Sequence, residues 1–122
     1  MKVLIISDTH GKSSCLKQIH DIVGDVDMLI HLGDVEGDEK LIHDLFDCEI
    51  HMVRGNCDYN PELPIYDEFN IGDKRAFITH GHRYSVNSGI SYLEELIDLE
   101  GYDFVMYGHT HRRDLTCYKD SY

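Results

Sequence analysis

The sequence predicts an α/β fold built on a mostly parallel β-sheet, and three observations support that prediction. Short apolar runs alternate along the chain with segments whose apolar residues recur at helical spacing, which is typical of layered α/β domains. The apolar runs are nearly continuous, as expected for strands that are buried on both faces of a parallel sheet. The chain has 122 residues, the usual size of one domain, so we expect a single domain over residues 1–122.

Three strands and two helices are predicted in the first half of the chain. The apolar runs that form the strands are Lys2–Ser7, Met28–Leu32 and Ile50–Arg54. Between the first two strands, the residues at helical spacing are Leu16, Ile19, Ile22 and Val23. We expect Ser13 or Ser14 to cap the start of this helix and Gly24 to end it. Asp38 is expected to cap a shorter helix, which carries Leu41, Leu45 and Phe46.

The second half of the chain is predicted to contain a hairpin, a third helix and further strands. Asp67–Ile71 and Lys74–Thr79 flank the turn dipeptide Gly72-Asp73, which indicates the hairpin. The third helix has apolar residues at 90, 93, 96 and 97, with Ser91 and Glu94 spaced as a capping box and Gly101 at its end. Two further strands are predicted at Phe104–Tyr107 and from Leu115–Tyr118 onward.

The composition is that of an acidic globular protein. Eleven basic residues against 23 acidic ones give a formal net charge of −12, which repels duplex nucleic acid and anionic membranes, so neither is an expected partner. No apolar run approaches the ~18 residues of a membrane span, and the short run at the N-terminus is too brief for a signal peptide. The four cysteines form no CxxC pair, and we expect free thiols in a reducing cytoplasm.

Nine of the 122 residues are histidine, and five of those nine fall in polar clusters that directly follow predicted strands. The clusters are Asp8-Thr9-His10, Gly33-Asp34, Gly55-Asn56-Cys57-Asp58, Thr79-His80-Gly81-His82 and Gly108-His109-Thr110-His111. Ligands of open α/β sheets bind outside the carboxyl ends of the strands. We therefore expect the five clusters to converge on one edge, although they are spread over about a hundred residues.

The side chains of these clusters have the chemistry of a transition-metal site. Carboxylate, amide and imidazole groups suit Mn, Fe, Zn, Co or Ni. One donor from each residue gives seven candidate ligands: Asp8, His10, Asp34, Asn56, His80, His109 and His111. If Asp34 bridged two ions, each ion would have four protein ligands, the two-metal arrangement that supports phosphoryl transfer. Singly, such residues could cap helices or face solvent; together they predict a metal centre.

In this order, the same motifs resemble the calcineurin-like metallophosphoesterase superfamily. The motif Gly55-Asn56-Cys57-Asp58 and the short chain resemble those of its small bacterial and archaeal phosphodiesterase branch. That branch is related to the Vps29-type fold. The resemblance covers residues 1–113 and implies an αββα sandwich. It further implies that one ion is held by Asp8, His10, Asp34 and His111, and the other by Asp34, Asn56, His80 and His109.

Two features depart from the pattern of that family. Many catalytic members have a histidine after Gly-Asn that protonates the leaving group, and here Cys57 occupies that position. Members of the branch also continue through further strands after the last histidine motif, whereas this sequence ends about ten residues beyond it. We therefore regard the C-terminus as a candidate truncation, and we expect an open sheet edge to favour homo-oligomers.

The other polar residues near the motifs have less specific predicted roles. Candidates for an acid–base group are His82 and Cys57, and candidates for contact with substrate phosphate are Arg83 and Arg112. Asp58 is expected either to accept a hydrogen bond from a ligand histidine or to cap its own loop. His31, inside a strand, is expected in the core or behind a ligand, whereas His51 is not expected to bind metal.

The function predicted from the sequence is a metal-dependent phosphoesterase that hydrolyses phosphodiesters with a hydroxide bridging two metal ions. We expect two divalent ions, with Mn preferred and Ni, Co, Zn, Fe or Mg as alternatives. The expected substrate is a small phosphate ester, because no basic stripe exists to follow a duplex. The alternative is a Vps29-like protein-binding scaffold with little or no catalysis. That scaffold type has lost positions of the ligand set, whereas all seven are present in this chain.

Overall fold

The computed structural model describes residues 1–112 and 116–122, which form three helices and two β-sheets. The helices are α1 (Ser13–Val23), α2 (Glu39–Leu45) and α3 (Ser91–Glu100). The strands are β1 (Val3–Ile6), β2 (Met28–His31), β3 (Glu49–Met52), β4 (Tyr66–Ile71), β5 (Lys74–Thr79) and β6 (Phe104–Met106). Two short 3₁₀ turns, His82–Tyr84 and Val86–Ser88, join β5 to α3. None of the helices in the described ranges is long and apolar enough to cross a bilayer.

The strands are divided between two three-stranded sheets. In the first sheet, β1, β2 and β3 lie in that order and are all parallel. In the second sheet, β4 and β5 form the predicted antiparallel hairpin, and β6 pairs in parallel with β5. The alternation of strands and helices predicts one mostly parallel sheet. It cannot show that the strands divide into two sheets, because the apolar pattern of a strand does not reveal which strand it pairs with. The two sheets are what the αββα sandwich prediction requires, and that prediction is confirmed.

Strand β2 shows how the layers stack. Leu29 belongs to a buried cluster with Leu16 of α1 and apolar residues of α2. Its neighbours Met28 and Ile30 belong to a second cluster, which includes Ile78 of the other sheet. Alternate residues of a strand point to opposite faces, so the helices cover one face of β2 and the second sheet covers the other. This arrangement explains why all four residues of β2 are buried.

The predicted helix ends agree with the structure at the C-termini of α1 and α3, but the predicted N-terminal caps of these helices do not. The predicted ends of α1 and α3 are confirmed at Gly24 and Gly101. Asp38 directly precedes α2 as predicted, but no side-chain capping hydrogen bond forms there. The serine cap of α1 and the capping box of α3 are wrong, because Lys12 and Ile90 precede these helices. Ser13 is instead the first residue of α1, and its hydroxyl donates to Asp38 Oδ1 at 3.0 Å.

Strands β1 and β6 stand at the ends of their sheets in the described part of the chain. An apolar groove of about 620 Å³ lies beside them, lined by side chains that include Ile5, Ile97 and Phe104. Of the strand predicted at Leu115–Tyr118, residue 115 lies outside the described residues, and Tyr118 forms an isolated bridge with Ser121. Self-association through an open edge stays a prediction.

Candidate metal centre

The loops that follow β1, β2, β3, β5 and β6 meet at one edge of the structure, as predicted. The backbone N–H of His10 donates to the Asp34 carbonyl at 2.9 Å, which holds the first two loops together. The N–H of Cys57 donates to Asp34 Oδ1 at 2.9 Å and attaches the third loop. The N–H of Gly108 donates to the His80 carbonyl at 3.0 Å and joins the last two. The N–H of His109 donates to Asp8 Oδ2 at 3.1 Å and joins these two sets of loops, so that hydrogen bonds bring the five polar clusters to one place.

A first group of candidate ligands consists of Asp8, His10 and His111. Asp8 Oδ1 lies 3.3 Å from His111 Nε2 and 3.9 Å from His10 Nε2. The two imidazole nitrogens are 3.4 Å apart. One carboxylate oxygen and two imidazole nitrogens therefore lie close enough together to bind a single metal ion.

A second group is formed by the two aspartates, His80, His109 and Asn56. His80 Nε2 lies 3.2 Å from Asp34 Oδ2 and 3.7 Å from Asp8 Oδ1. His109 Nδ1 lies 3.2 Å from His80 Nε2 and 3.1 Å from Asn56 Oδ1. Asp34 Oδ2 is also 3.7 Å from Nε2 of His10, so this oxygen, like Asp8 Oδ1, lies within 4 Å of histidines of both groups. The seven predicted residues are all brought together.

The orientation of His80 is fixed from behind. The His80 ring is fully buried, and its Nδ1 donates to the carbonyl of Leu32 at 2.7 Å. A carbonyl can only accept, so Nδ1 carries a proton and Nε2 is the ring atom that faces Asp34 and Asp8. Metal-binding histidines are commonly held in this way.

The backbone of the cluster is strained. Five of the seven residues have left-handed φ values between 49° and 69°, namely Asp8, His10, Asp34, His109 and His111. Such conformations cost about 1–3 kcal/mol each and concentrate at functional sites. Gly55 permits a close approach, because a Cβ atom built there would lie 2.5 Å from the backbone nitrogen of Asp34. The loops are thus held in positions that the chain would not adopt without tertiary support.

The donor set fits a divalent cation. Burial alone would raise the pKa of Asp8, but the Ser7 hydroxyl and His80 more than offset this and hold its pKa below the ordinary value. The ionised Oδ1 is buried and accepts no hydrogen bond from the residues that the structure describes. A buried anionic oxygen without a donor is costly unless it is paired or binds a metal ion. Carboxylate and imidazole ligands suit Mn, Fe, Co, Ni or Zn.

Asp58 supports the loops rather than a histidine. Its Oδ2 accepts the N–H groups of Asp34 and Gly55, both at 2.8 Å, and its Oδ1 accepts the N–H of Glu36 at 2.7 Å. Of the two predicted roles, loop capping is therefore confirmed, and the hydrogen bond to a ligand histidine is wrong. The sequence pattern could not separate the two, because both place a buried carboxylate beside the same loop.

His31 is a core residue. It is fully buried; its Nδ1 accepts the N–H of Gly33 at 3.1 Å, and its Nε2 lies 3.0 Å from the Thr9 hydroxyl. Burial lowers the pKa of His31 from 6.5 to about 4. The neutral ring thus links the strand β2 to the loop that carries Asp8 and His10.

We expect acidification to destabilise the protein through His31. The unfolded chain takes up this proton near the ordinary pKa of 6.5, and the folded chain only near pH 4. The contribution of His31 to the free energy of unfolding is therefore complete above pH 6.5 and is lost as the pH falls towards 4. In chemical denaturation, His31→Asn should reduce the decrease in the free energy of unfolding between pH 6.5 and 4 by about 1–3 kcal/mol. His43 is exposed, and His43→Asn should leave that decrease unchanged. An unaltered pH dependence in His31→Asn would contradict the assignment.

His51 serves the interface between the sheets. Its Nδ1 lies 2.8 Å from Asp67 Oδ2 on β4, and its ring stacks on Phe69 with centroids 3.6 Å apart. These contacts attach β3 to the second sheet. His51 belongs to none of the candidate ligand groups found among the described residues.

Cys57 and His82, the acid–base candidates, both lie beside the cluster. Cys57 forms a third group with His10 and Glu36, and burial, followed by the charges of Asp34 and Glu36, raises the pKa of its thiol. The ring of His82 is 5.5 Å from that of His80. Burial and the neighbouring His80 lower the pKa of His82, and its buried Nδ1 has no partner within residues 1–112 and 116–122. Both groups are therefore neutral near pH 7.

The two arginine candidates are less closely tied to the cluster. Arg83 and Arg112 are exposed, and Arg112 borders the apolar groove beside β6. Their contact with a substrate phosphate stays a prediction. Sequence reasoning missed Glu36, whose carboxylate lies 3.1 Å from Nδ1 of His10.

Two curated proteins are similar to this chain over most of its length. The probable metallophosphoesterase YsnB of Bacillus subtilis is 31% identical over 114 residues, covering 91% of this chain and 64% of that protein. The phosphodiesterase MJ0936 of Methanocaldococcus jannaschii is 34% identical over 131 residues, covering 93% of this chain and 75% of that protein. The chain therefore spans less than two-thirds of the length of the first relative and three-quarters of the length of the second.

Solved structures show the same fold. A predicted phosphoesterase from Streptococcus pneumoniae TIGR4 superposes with a TM-score of 0.82 at 27% identity, covering 98% of this chain and 68% of the other. Vps29 of Entamoeba histolytica, solved in complex with Zn²⁺, also gives a TM-score of 0.82 at 21% identity, covering 99% and 71%. Residues 1–121 match the calcineurin-like phosphoesterase superfamily domain, and the chain belongs to that superfamily.

Proposed function

We propose that the protein is a metal-dependent phosphodiesterase whose seven clustered residues hold two divalent ions. The position of Asp34 carries this proposal, because its Oδ2 lies 3.2 Å from His80 Nε2 and 3.7 Å from His10 Nε2. A ligand shared between two neighbouring groups is what a two-metal phosphoryl-transfer site requires. Membership of the phosphoesterase superfamily and the similarity to a protein named a phosphodiesterase agree with the proposal.

Asp8 Oδ1 approaches histidines of both groups, and the proposal assigns Asp8 to the first ion alone and Asp34 to both. One ion takes Asp8, His10, Asp34 and His111, and the other takes Asp34, Asn56, His80 and His109. Mn is the preferred metal, with Ni, Co, Zn, Fe or Mg as alternatives. When bound, two divalent ions polarise a phosphate group and lower the pKa of water towards ~7. Their charge also offsets the field of a chain with net charge −12, so that an anionic substrate can approach.

The proposed substrate is a small phosphodiester, with protons handled by residues beside the cluster. The lowered pKa of His82 leaves its ring neutral near pH 7, so it can hydrogen-bond a phosphate oxygen or accept a proton. Arg83 and Arg112 are the proposed contacts for substrate charge.

Parallel assays of a diester and a monoester test this function. Bis(p-nitrophenyl) phosphate and p-nitrophenyl phosphate are compared with Mn, Co, Ni and Mg, and metal content is measured by elemental analysis. We expect diester hydrolysis that depends on added metal, with two ions per chain at saturation. Saturation at one ion per chain would contradict the dinuclear site, and metal binding without hydrolysis of either ester would contradict the enzyme.

A protein-binding scaffold is the second candidate, because Vps29 shares the fold. A scaffold needs no metal ligands, whereas here a buried Asp8 oxygen and the strained backbone of five candidate ligands argue for a working cation site. Binding of two ions with turnover favours the enzyme. A correctly folded chain that binds ions without turnover favours the scaffold.

We also propose a cytoplasmic location. The four cysteines are free thiols in the structure. Free thiols persist in reducing compartments and are uncommon in secreted proteins.

Cys57 gives a prediction about the leaving group. Its raised pKa makes the thiol a poor proton donor near neutral pH, so turnover should favour activated aryl esters over alkyl esters. Cys57→Ser should change kcat/KM little for either ester, because no nucleophilic role is assigned to the thiol. Cys57→His should accelerate the alkyl ester by up to about 10²-fold and the aryl ester much less. A large loss in Cys57→Ser with metal content intact would show a direct chemical role for sulfur.

A further inference from the structure

Glu36 lies behind the first group of candidate ligands, two residues after Asp34. Its Oε2 is 3.1 Å from Nδ1 of His10, and its side chain is 32% exposed. Its backbone is in the left-handed region with φ 54°, and its N–H donates to Asp58 Oδ1 at 2.7 Å. The loop that presents Asp34 therefore also holds the Glu36 carboxylate in place beside His10.

This contact determines which nitrogen of His10 can bind a cation. A carboxylate only accepts, so the His10 proton is on Nδ1, and the Nε2 lone pair faces His111 and Asp8 at 3.4 Å and 3.9 Å. We propose that Glu36 is a positioning residue that fixes the tautomer and orientation of His10 and thereby sets the affinity of the first ion. The inference rests on the proposed metal-dependent function.

The second group of ligands has a different support. The corresponding Nδ1 of His80 donates to the uncharged carbonyl of Leu32, at 2.7 Å. A carboxylate partner increases the basicity of a histidine ligand more than a carbonyl does. Loss of Glu36 should therefore affect the ion held by His10 and not the ion held by His80. A general loss of negative charge would affect both.

Mn²⁺ titration in two single-site backgrounds separates these effects. His109→Ala removes a ligand of the second group, and His111→Ala removes a ligand of the first. Glu36→Ala should weaken Mn²⁺ binding about tenfold in the His109→Ala background. It should leave binding unchanged in the His111→Ala background. Equal weakening in both backgrounds, or none in the first, would overturn the inference.

The tautomer of His10 provides a readout that is independent of activity. Long-range ¹H–¹⁵N NMR of the metal-free chain should show the proton on Nδ1 in the wild type, and mixed tautomers in Glu36→Ala. Glu36→Gln should restore the Nδ1 proton, because the amide oxygen still accepts. Glu95→Gln, on the exposed face of α3, is the matched control for lost charge and should change neither measurement.

Different results would contradict the role of Glu36 and the proposed function. An unchanged His10 tautomer in Glu36→Ala would overturn the role of Glu36 alone. A wild-type chain that binds no Mn²⁺ would overturn the proposed function, and this inference with it.

Discussion

Asp34→Asn should abolish measurable turnover and weaken binding of both metal ions. In the proposed assignment Asp34 is the ligand of both ions, and its Oδ2 approaches His10 of the first group and His80 of the second, so removal of its charge affects both. Loss of a group behind a ligand already costs 10–100-fold in metal affinity, and we expect at least about 100-fold at each site for this ligand. The fold should persist, because an asparagine oxygen can still accept the N–H of Cys57.

The measurement is a metal titration of the folded variant together with diester hydrolysis. His111→Ala is the matched comparison, because it removes a ligand of the first group alone. We expect Asp34→Asn to lose both binding events and His111→Ala to lose one. If Asp34→Asn emptied only one site and left the other with unchanged affinity, Asp34 would not be the bridging ligand.

The convergence of the five clusters could be predicted because it depends on strand direction. Asp8, Asp34 and Asn56 follow three parallel strands, and the carboxyl ends of parallel strands lie on one side of a sheet. His80 and His109 follow β5 and β6, which are also parallel to each other. The residue types and their place after each strand were therefore enough to predict which side chains meet.

Contacts made by single side chains across loops could not be predicted in the same way. Glu36 is one carboxylate in a polar segment of an acidic chain, and no spacing marks it as the partner of His10. Serine is a preferred residue for a helix N-cap, yet the Ser13 hydroxyl donates its hydrogen bond to Asp38, which precedes α2. The pairing of β6 with β5 rather than with β3 is likewise a long-range choice. Such contacts depend on the assembled structure and not on local pattern.

Gly55→Ala should disable the metal centre although glycine provides no ligand. A Cβ atom at this position would lie 2.5 Å from the backbone nitrogen of Asp34 and would also overlap the Asp34 carboxylate. A backbone atom cannot relieve this overlap by a change of rotamer, as the end of a flexible side chain can. The backbone of Asp34 is already strained, with φ 58°. The N–H groups of Gly55 and Asp34 share Asp58 Oδ2, so the displacement would also loosen that loop support.

We expect Gly55→Ala to lower the free energy of unfolding by about 1–3 kcal/mol, the usual cost of an overpacked site. The displaced Asp34 should weaken the binding of both ions and reduce kcat/KM for the diester by at least about 10²-fold, since misplacement of about 1 Å is enough for that loss. Gly72→Ala in the β4–β5 turn is the matched control, because its Cβ would meet nothing within 4 Å and only its φ of +63° makes it unfavourable. The control should lose a comparable amount of stability and keep normal Mn²⁺ binding. Equal metal affinity in the two variants would mean that close packing of Gly55 against Asp34 does not shape the site.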